Sequence, residues 1–197
     1  QGDRSQYLPN PKDYHEVADD KALKDVVSVT TAYNGDSLYI LTSAPSVLQY
    51  RPATGNLATL DVDGGDWNKA IDIVSYLTNL YLLSPSDGQI YRYSGSGSTY
   101  NPATTYIKDS GGTSMHSGAS LAINGAVFVS TGPGAFAYFE NGDSKPFTPT
   151  NLPAGLSAMQ KLLWIDKTNH LLGLAQDGSR IVSIAVGDNG ADFDTHY

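Results

Sequence analysis

The feature that most constrains this chain is a hairpin that recurs. It is clearest at Asn79-Leu80-Tyr81-Leu82-Leu83-Ser84-Pro85-Ser86-Asp87-Gly88-Gln89-Ile90-Tyr91-Arg92-Tyr93, where two apolar and aromatic runs flank a Pro-Ser-Asp-Gly turn. Weaker copies run from Leu38 to Arg51 around Ala44-Pro45-Ser46, from Val127 to Phe139 around Gly132-Pro133-Gly134, and from Leu171 to Ile184 around Gln176-Asp177-Gly178. From Tyr39 to Tyr81 to Phe128 to Leu172 the steps are roughly 42 to 47 residues.

Each hairpin follows another apolar strand: Val26–Val29, Ala70–Val74, Ala119–Ile123 and Leu162–Ile165. Upstream of each strand sits one large apolar residue, Leu23, Trp67, Met115 or Leu156. A further strand follows the first three hairpins, at Leu57–Leu60, Thr104–Ile107 and Lys145–Thr148. This order predicts an all-β chain folded as a β-propeller. It has four repeats of about 42–47 residues, each a four-stranded antiparallel blade, or else forms part of a larger propeller. One such unit cannot bury both of its faces, so neighbours must stack. Short strands and frequent turns also fit a β-sandwich, but the same order four times over argues against one.

Domain organisation follows from the repeat. Residues 23–197 make the propeller, with blades at 23–66, 67–114, 115–155 and 156–197. Residues 1–22 form an N-terminal arm. Within it, Asp13–Ala18 is a candidate ring-closing strand that completes the last blade. Ala191–Tyr197 is a second candidate for that place. Ser94-Gly95-Ser96-Gly97-Ser98 is expected to be a flexible loop tip.

The hairpins, led by Asn79–Leu83 and Gln89–Tyr93, resemble the broad β-propeller group that includes NHL-like, YVTN-like and PQQ-like repeats. The likeness covers roughly 23–197 and is architectural. The Trp-Asp dipeptide of WD40 repeats is absent, and so is the paired-glycine signature that marks kelch repeats. Propellers serve enzymes, lectins and scaffolds alike, so the resemblance implies a fold and leaves function to the sites.

Composition narrows the functions. The formal net charge is -8, and the 12 basic residues form no run, which argues against nucleic acid and anionic membrane surfaces as partners. No apolar stretch is long enough for membrane insertion. The chain has no cysteine, which removes disulfides, thiolate metal sites and cysteine catalysis. Low charge and abundant Tyr, Asn, Ser and Thr point to an extracellular or periplasmic location.

Candidate chemistry is sparse. In Asp61-Val62-Asp63-Gly64-Gly65-Asp66, alternating carboxylates with glycines resemble the first half of a calcium loop. Asp61, Asp63 and Asp66 are the metal candidates, and calcium is the one cofactor candidate. The same residues are good turn formers, and the closing Glu is missing. Asp188–Asp194 is a weaker version. His116 precedes an inner strand and is a candidate for the central channel, or else a solvated turn histidine. Asp72 lies on an inner strand, but glycosidase chemistry needs two facing carboxylates, and the glutamates are Glu16 and Glu140 alone. Serine-nucleophile and phosphate-loop patterns are absent. Tyr50, Tyr91, Tyr93, Tyr100, Tyr106, Tyr138 and Phe139 offer surfaces for a glycan or peptide, but alternate strand positions place most of them in the core. The sequence therefore predicts a non-enzymatic binding or scaffold propeller with a protein partner. A glycan-binding propeller and an enzyme with a central-channel site are the alternatives.

Overall fold

A computed structural model describes residues 23, 25–43, 46–60, 69–96, 99–176, 178, 180–187 and 195–196. The arm 1–22, Trp67, the calcium candidates Asp61, Asp63 and Asp66, and Asp188–Asp194 lie outside the described residues.

The strands assemble in chain order into four antiparallel sheets. Blade one holds β1 (Val26–Thr31), β2 (Leu38–Thr42), β3 (Ser46–Arg51) and β4 (Asn56–Thr59). Blade two holds β5 (Asp72–Tyr76), β6 (Asn79–Ser84) and β7 (Gln89–Ser96), with β8 (Thr99–Tyr100) and β9 (Thr104–Thr105) both paired to β7. Blade three holds β10 (Ser120–Ile123), β11 (Val127–Gly132), β12 (Ala135–Glu140) and β13 (Asp143–Lys145). Blade four holds β14 (Met159–Ile165), β15 (His170–Ala175), β16 (Ile181–Ala185) and β17 (Thr195–His196). The sheets form a ring, a four-bladed β-propeller, with β1, β5, β10 and β14 around the axis.

Local chemistry sets the turns. Between β6 and β7 the Pro-Ser-Asp segment makes one tight helical turn. It is closed by Gly88 at φ +63°, whose N–H donates to the Pro85 carbonyl. Between β14 and β15, Asn169 fills the same left-handed role at φ +51°, which asparagine tolerates better than most side chains.

The Ser94–Ser98 stretch corrects the sequence reading where it is described. Instead of a loop, β7 runs through Ser96, and Gly95 and Ser96 pair with Tyr100 and Thr99. Glycine is needed because a Cβ at position 95 would overlap the Thr99 carbonyl and the Tyr100 backbone. The outer strand of blade three also sits slightly earlier than Lys145–Thr148. Asp143–Lys145 pairs with β12, and Phe147 turns inward to the core between blades three and four.

Packing follows the two-residue period of each strand. On β6, Leu80 and Leu82 face blade one, where they meet Tyr39, Leu41 and Val47. Tyr81 and Leu83, on the opposite face, meet Leu121, Val129 and Phe139 of blade three. A third apolar core joins Phe128 and Ala122 of blade three to Leu162, Leu171 and Val182 of blade four, with Trp164 stacked on Phe128 at 5.6 Å. Each fully buried side chain of this size contributes about 1.5–3 kcal/mol.

The junction between blades four and one differs. Val29 on β1 faces it, as do Leu163 and Ile165 on β14, and all three are exposed. Ile181 on β16 is 64% exposed. Ile40 and Leu48 pair in line with Val29, share its face and are buried, so the exposed strip is confined to the inner strands and Ile181. Among the described residues, the contact that spans this junction near the axis is polar, from Lys161 to Ser28.

Candidate axial site

Four side chains, one from each inner strand, meet on the axis. They occupy one register position: Ser28 pairs with Leu41, Asp72 with Leu83, Ser120 with Ser130 and Lys161 with Leu174. A β-bulge precedes Ser28 on β1 and another precedes Lys161 on β14. An extra residue at such a place re-aims the side chain that follows it.

Asp72 is the hub. Its side chain is 3% exposed, and it is the one buried carboxylate among the described residues. Oδ1 accepts from the Lys161 ammonium at 2.5 Å, the Ser28 hydroxyl at 2.5 Å and the Ile73 N–H at 3.0 Å. Oδ2 accepts from the Ser120 hydroxyl at 2.6 Å and the Leu121 N–H at 3.0 Å. Ser120 in turn accepts the Leu162 N–H at 2.9 Å, and Ser28 accepts a second bond from Lys161 at 3.1 Å. All four blades are thereby tied to one carboxylate. Five donors fill the lone-pair directions of the carboxylate, and the Lys161 ammonium beside it balances its charge.

Beyond this pin, toward the C-terminal ends of the inner strands, opens a cavity of about 630 Å³. Lys161, 28% exposed, lies in its wall with Val29, Thr31, Ser75, Leu163 and Trp164. Tyr33, Tyr76 and Asp166 also line it, and the two tyrosine rings meet edge to face at 5.7 Å. Burial raises the Tyr76 pKa above the ordinary phenol value. A second cavity of about 300 Å³ lies between blades one and two, and shares Tyr33 with the first.

Of the sequence candidates, Asp72 reaches the axis. His116 does not line the cavity. It is exposed on the turn before β10, where its Nδ1 donates to the Pro85 carbonyl at 2.7 Å, in line with the turn reading. Glu140 is exposed at the end of β12 and accepts from the Tyr138 hydroxyl at 2.8 Å, so it forms no facing pair with Asp72. Of the aromatic candidates, Tyr93, Tyr100, Tyr106 and Phe139 are buried, and Tyr50, Tyr91 and Tyr138 are half-buried. Among the described residues no three histidines or carboxylates gather as a metal site. None of their helices is long and apolar enough to cross a membrane. Sequence reasoning missed Ser28, Ser120 and Lys161. Their shared register opposite Leu41, Ser130 and Leu174 is the signal that points to them.

No known family's sequence pattern matches the chain, and no curated protein is similar to it in sequence. Solved structures do share its fold. The computationally designed Ika4 protein superposes with a TM-score of 0.54 at 12% identity, over 88% of this chain and 99% of that one. The β-propeller domain of Myceliophteria thermophila Cps50 (Swd1) gives 0.57 at 9% identity, over 87% of this chain and 57% of that one. A chain from the nidogen/laminin complex gives 0.59 at 10% identity, over 81% of this chain and 60% of that one. The chain thus spans nearly all of the designed protein and little more than half of the other two. At these identities the likeness is one of fold.

Proposed function

We propose that this chain is a non-enzymatic binding propeller, built from repeats of the NHL-, YVTN- or PQQ-like kind, that engages a protein partner outside the cytoplasm. The observation that carries this reading is the saturation of Asp72. General acid–base work needs a group able to exchange a proton with a substrate within hydrogen-bond reach. The buried carboxylate on the axis has its oxygens filled by five donors from the fold itself. What the ring offers outward instead is apolar surface at the junction of blades four and one. Val29, Leu163, Ile165 and Ile181 are exposed there. Apolar side chains exposed together at one junction are characteristic of protein contact sites. A chain from the nidogen/laminin complex has the same kind of fold, which is a precedent for a propeller within a protein assembly.

The test is affinity capture from the extracellular fraction of the source cells, then reconstitution of the captured protein with the purified chain. Ile165→Asp with Ile181→Asp places two charges on the strip while leaving the three apolar cores intact. The expected result is binding by the native chain that weakens about a hundredfold in the double variant, since burying unpaired charge costs several kcal/mol. Binding that ignores the double variant, or no reconstituted complex, overturns the reading.

A further inference from the structure

We propose that the axial cavity is a binding site for a neutral saccharide unit. The inference goes beyond the protein-docking reading and is tested with different residues. Three observations carry it.

The first is size and position. Pockets of about 300–1,000 Å³ suit small ligands, and this one measures about 630 Å³. It is lined by residues of all four blades and lies above the Asp72 pin.

The second is charge. An isolated lysine in a pocket would select an anion. Lys161 is already matched by Asp72 at 2.5 Å, and Asp166 adds a further negative charge among the lining residues. An anionic ligand would meet two carboxylates for one ammonium, and a cation would meet the ammonium itself. A neutral ligand avoids both. Lys161 has three N–H donors, and the fold directs two of them to Asp72 and Ser28. The third is available to an uncharged acceptor such as a hydroxyl oxygen.

The third is the character of the walls. Tyr33 is 56% exposed, and its ring meets that of Tyr76 edge to face. Val29 and Leu163 add exposed apolar surface, and the Thr31 and Ser75 side chains add hydroxyls. A pyranose ring has a C–H face that lies against aromatic and aliphatic side chains, and an edge of hydroxyls that both donate and accept. This wall has the matching parts, and a fully apolar ligand would leave the lysine donor and the hydroxyls unpaired.

The experiment is saturation-transfer NMR and calorimetry on the full chain. Its probes are D-glucose, D-galactose, D-mannose, N-acetyl-D-glucosamine, D-glucuronate and cyclohexanol. At least one neutral sugar is expected to bind with a Kd of about 1 mM or tighter. D-glucuronate should bind at least about tenfold more weakly than the preferred neutral sugar. Tyr33→Ala should weaken the sugar about tenfold without lowering the melting temperature, because that ring is exposed. Ile165→Asp with Ile181→Asp should leave sugar binding unchanged, since neither residue lines the cavity, so the docking reading and this one fail separately. The proposal is overturned if no neutral sugar binds, if glucuronate or cyclohexanol binds as well as the best sugar, or if Tyr33→Ala binds sugar like the native chain.

Discussion

Removing the Asp72 carboxylate should destabilise the ring more than removing the lysine that neutralises it. Asp72→Ala leaves the Ile73 and Leu121 N–H groups, the Ser120 hydroxyl and the Lys161 ammonium without their acceptor. Breaking a buried ion pair from one side costs about 3–5 kcal/mol. The ammonium can recover some water from the cavity, being 28% exposed, but the buried backbone and serine donors cannot. Lys161→Met removes two hydrogen bonds and leaves Asp72 with four donors, a loss of about 1.5–3 kcal/mol. Because the ammonium is absent from the double variant, Asp72→Ala with Lys161→Met should fall short of the sum by about 1–2 kcal/mol. Domains of this size hold about 5–15 kcal/mol in total, so Asp72→Ala alone removes a large share. Its melting temperature should fall by about 6–20 °C. Urea titrations of the four proteins, read by near-ultraviolet circular dichroism, give the cycle. A loss under about 1 kcal/mol for Asp72→Ala, or additivity within about 0.5 kcal/mol, would refute the account of the pin.

Four further outcomes follow from the packing and ionisation. Gly142→Ala should lower stability by more than about 1 kcal/mol in urea titration, because φ is +89° and a Cβ would overlap the Tyr106 carbonyl. Phe128→Ala, in the core between blades three and four, should cost about 3–5 kcal/mol in the same assay, through the loss of contacts with Trp164, Phe147 and Tyr138. Tyr100→Phe should cost about 1 kcal/mol, since the Tyr100 hydroxyl donates to that of Tyr39 at 2.9 Å in a buried site. Alkaline pH should unfold the chain steeply. Burial first, and the hydrogen bond to Glu140 second, raise the Tyr138 pKa from 10.0 to about 12, and burial also raises Tyr76, Tyr81, Tyr100 and Tyr106. The folded state keeps these protons while the unfolded chain loses them, so this stability is whole below pH 10 and falls as pH rises above it, the Tyr138 share being lost between pH 10 and about 12. Melting temperatures taken from pH 8 to 12 check this, and a flat profile contradicts it.

The blades were legible because the period of the hairpins and the turn residues between them are one-dimensional signals. Asp72 was legible too, since it interrupts the apolar run Ala70-Ile71-Asp72-Ile73-Val74. Its partners were not. Lys161 stands before the apolar run that marks Leu162–Ile165 as a strand, and the bulge at Met159–Lys161 shifts the alternation that would have aimed it inward. Ser28 follows the matching bulge on β1 and reads as an ordinary polar residue in a valine-rich strand. The Gly95-Ser96 pairing was misread because strand propensity there is poor, while packing of the buried Tyr100 against Tyr39 holds the hairpin. The open junction was invisible for a related reason. Val29, Leu163 and Ile165 look the same in sequence as residues on a sealed face, and only the arrangement of the blades tells them apart.

The axis also explains why the repeats diverge there while the hairpins stay alike. Between blades, one apolar face can meet another by the same rule three times over. On a four-fold axis, four equivalent positions converge on one point, and four copies of one residue fail there. Four carboxylates or four ammonium groups would repel one another in a site that is nearly dry. Four apolar residues would leave the Ile73, Leu121 and Leu162 N–H groups, which now donate to Asp72 and Ser120, with no acceptor. One acid, one base and two hydroxyls balance the charge and supply acceptors for those donors. That solution breaks the symmetry of the ring, and it sets Lys161 at the junction where the apolar seal is missing. The polar pin at the centre and the exposed strip beside it are therefore two sides of one arrangement. Ser28→Ala should loosen that junction in particular. Its hydroxyl, between Asp72 and Lys161, links blade one to the pin. Hydrogen exchange of β1 and β14 should quicken in this variant while β6 and β11 keep their protection. Equal acceleration in all four strands would show instead that the pin holds the ring only as a whole.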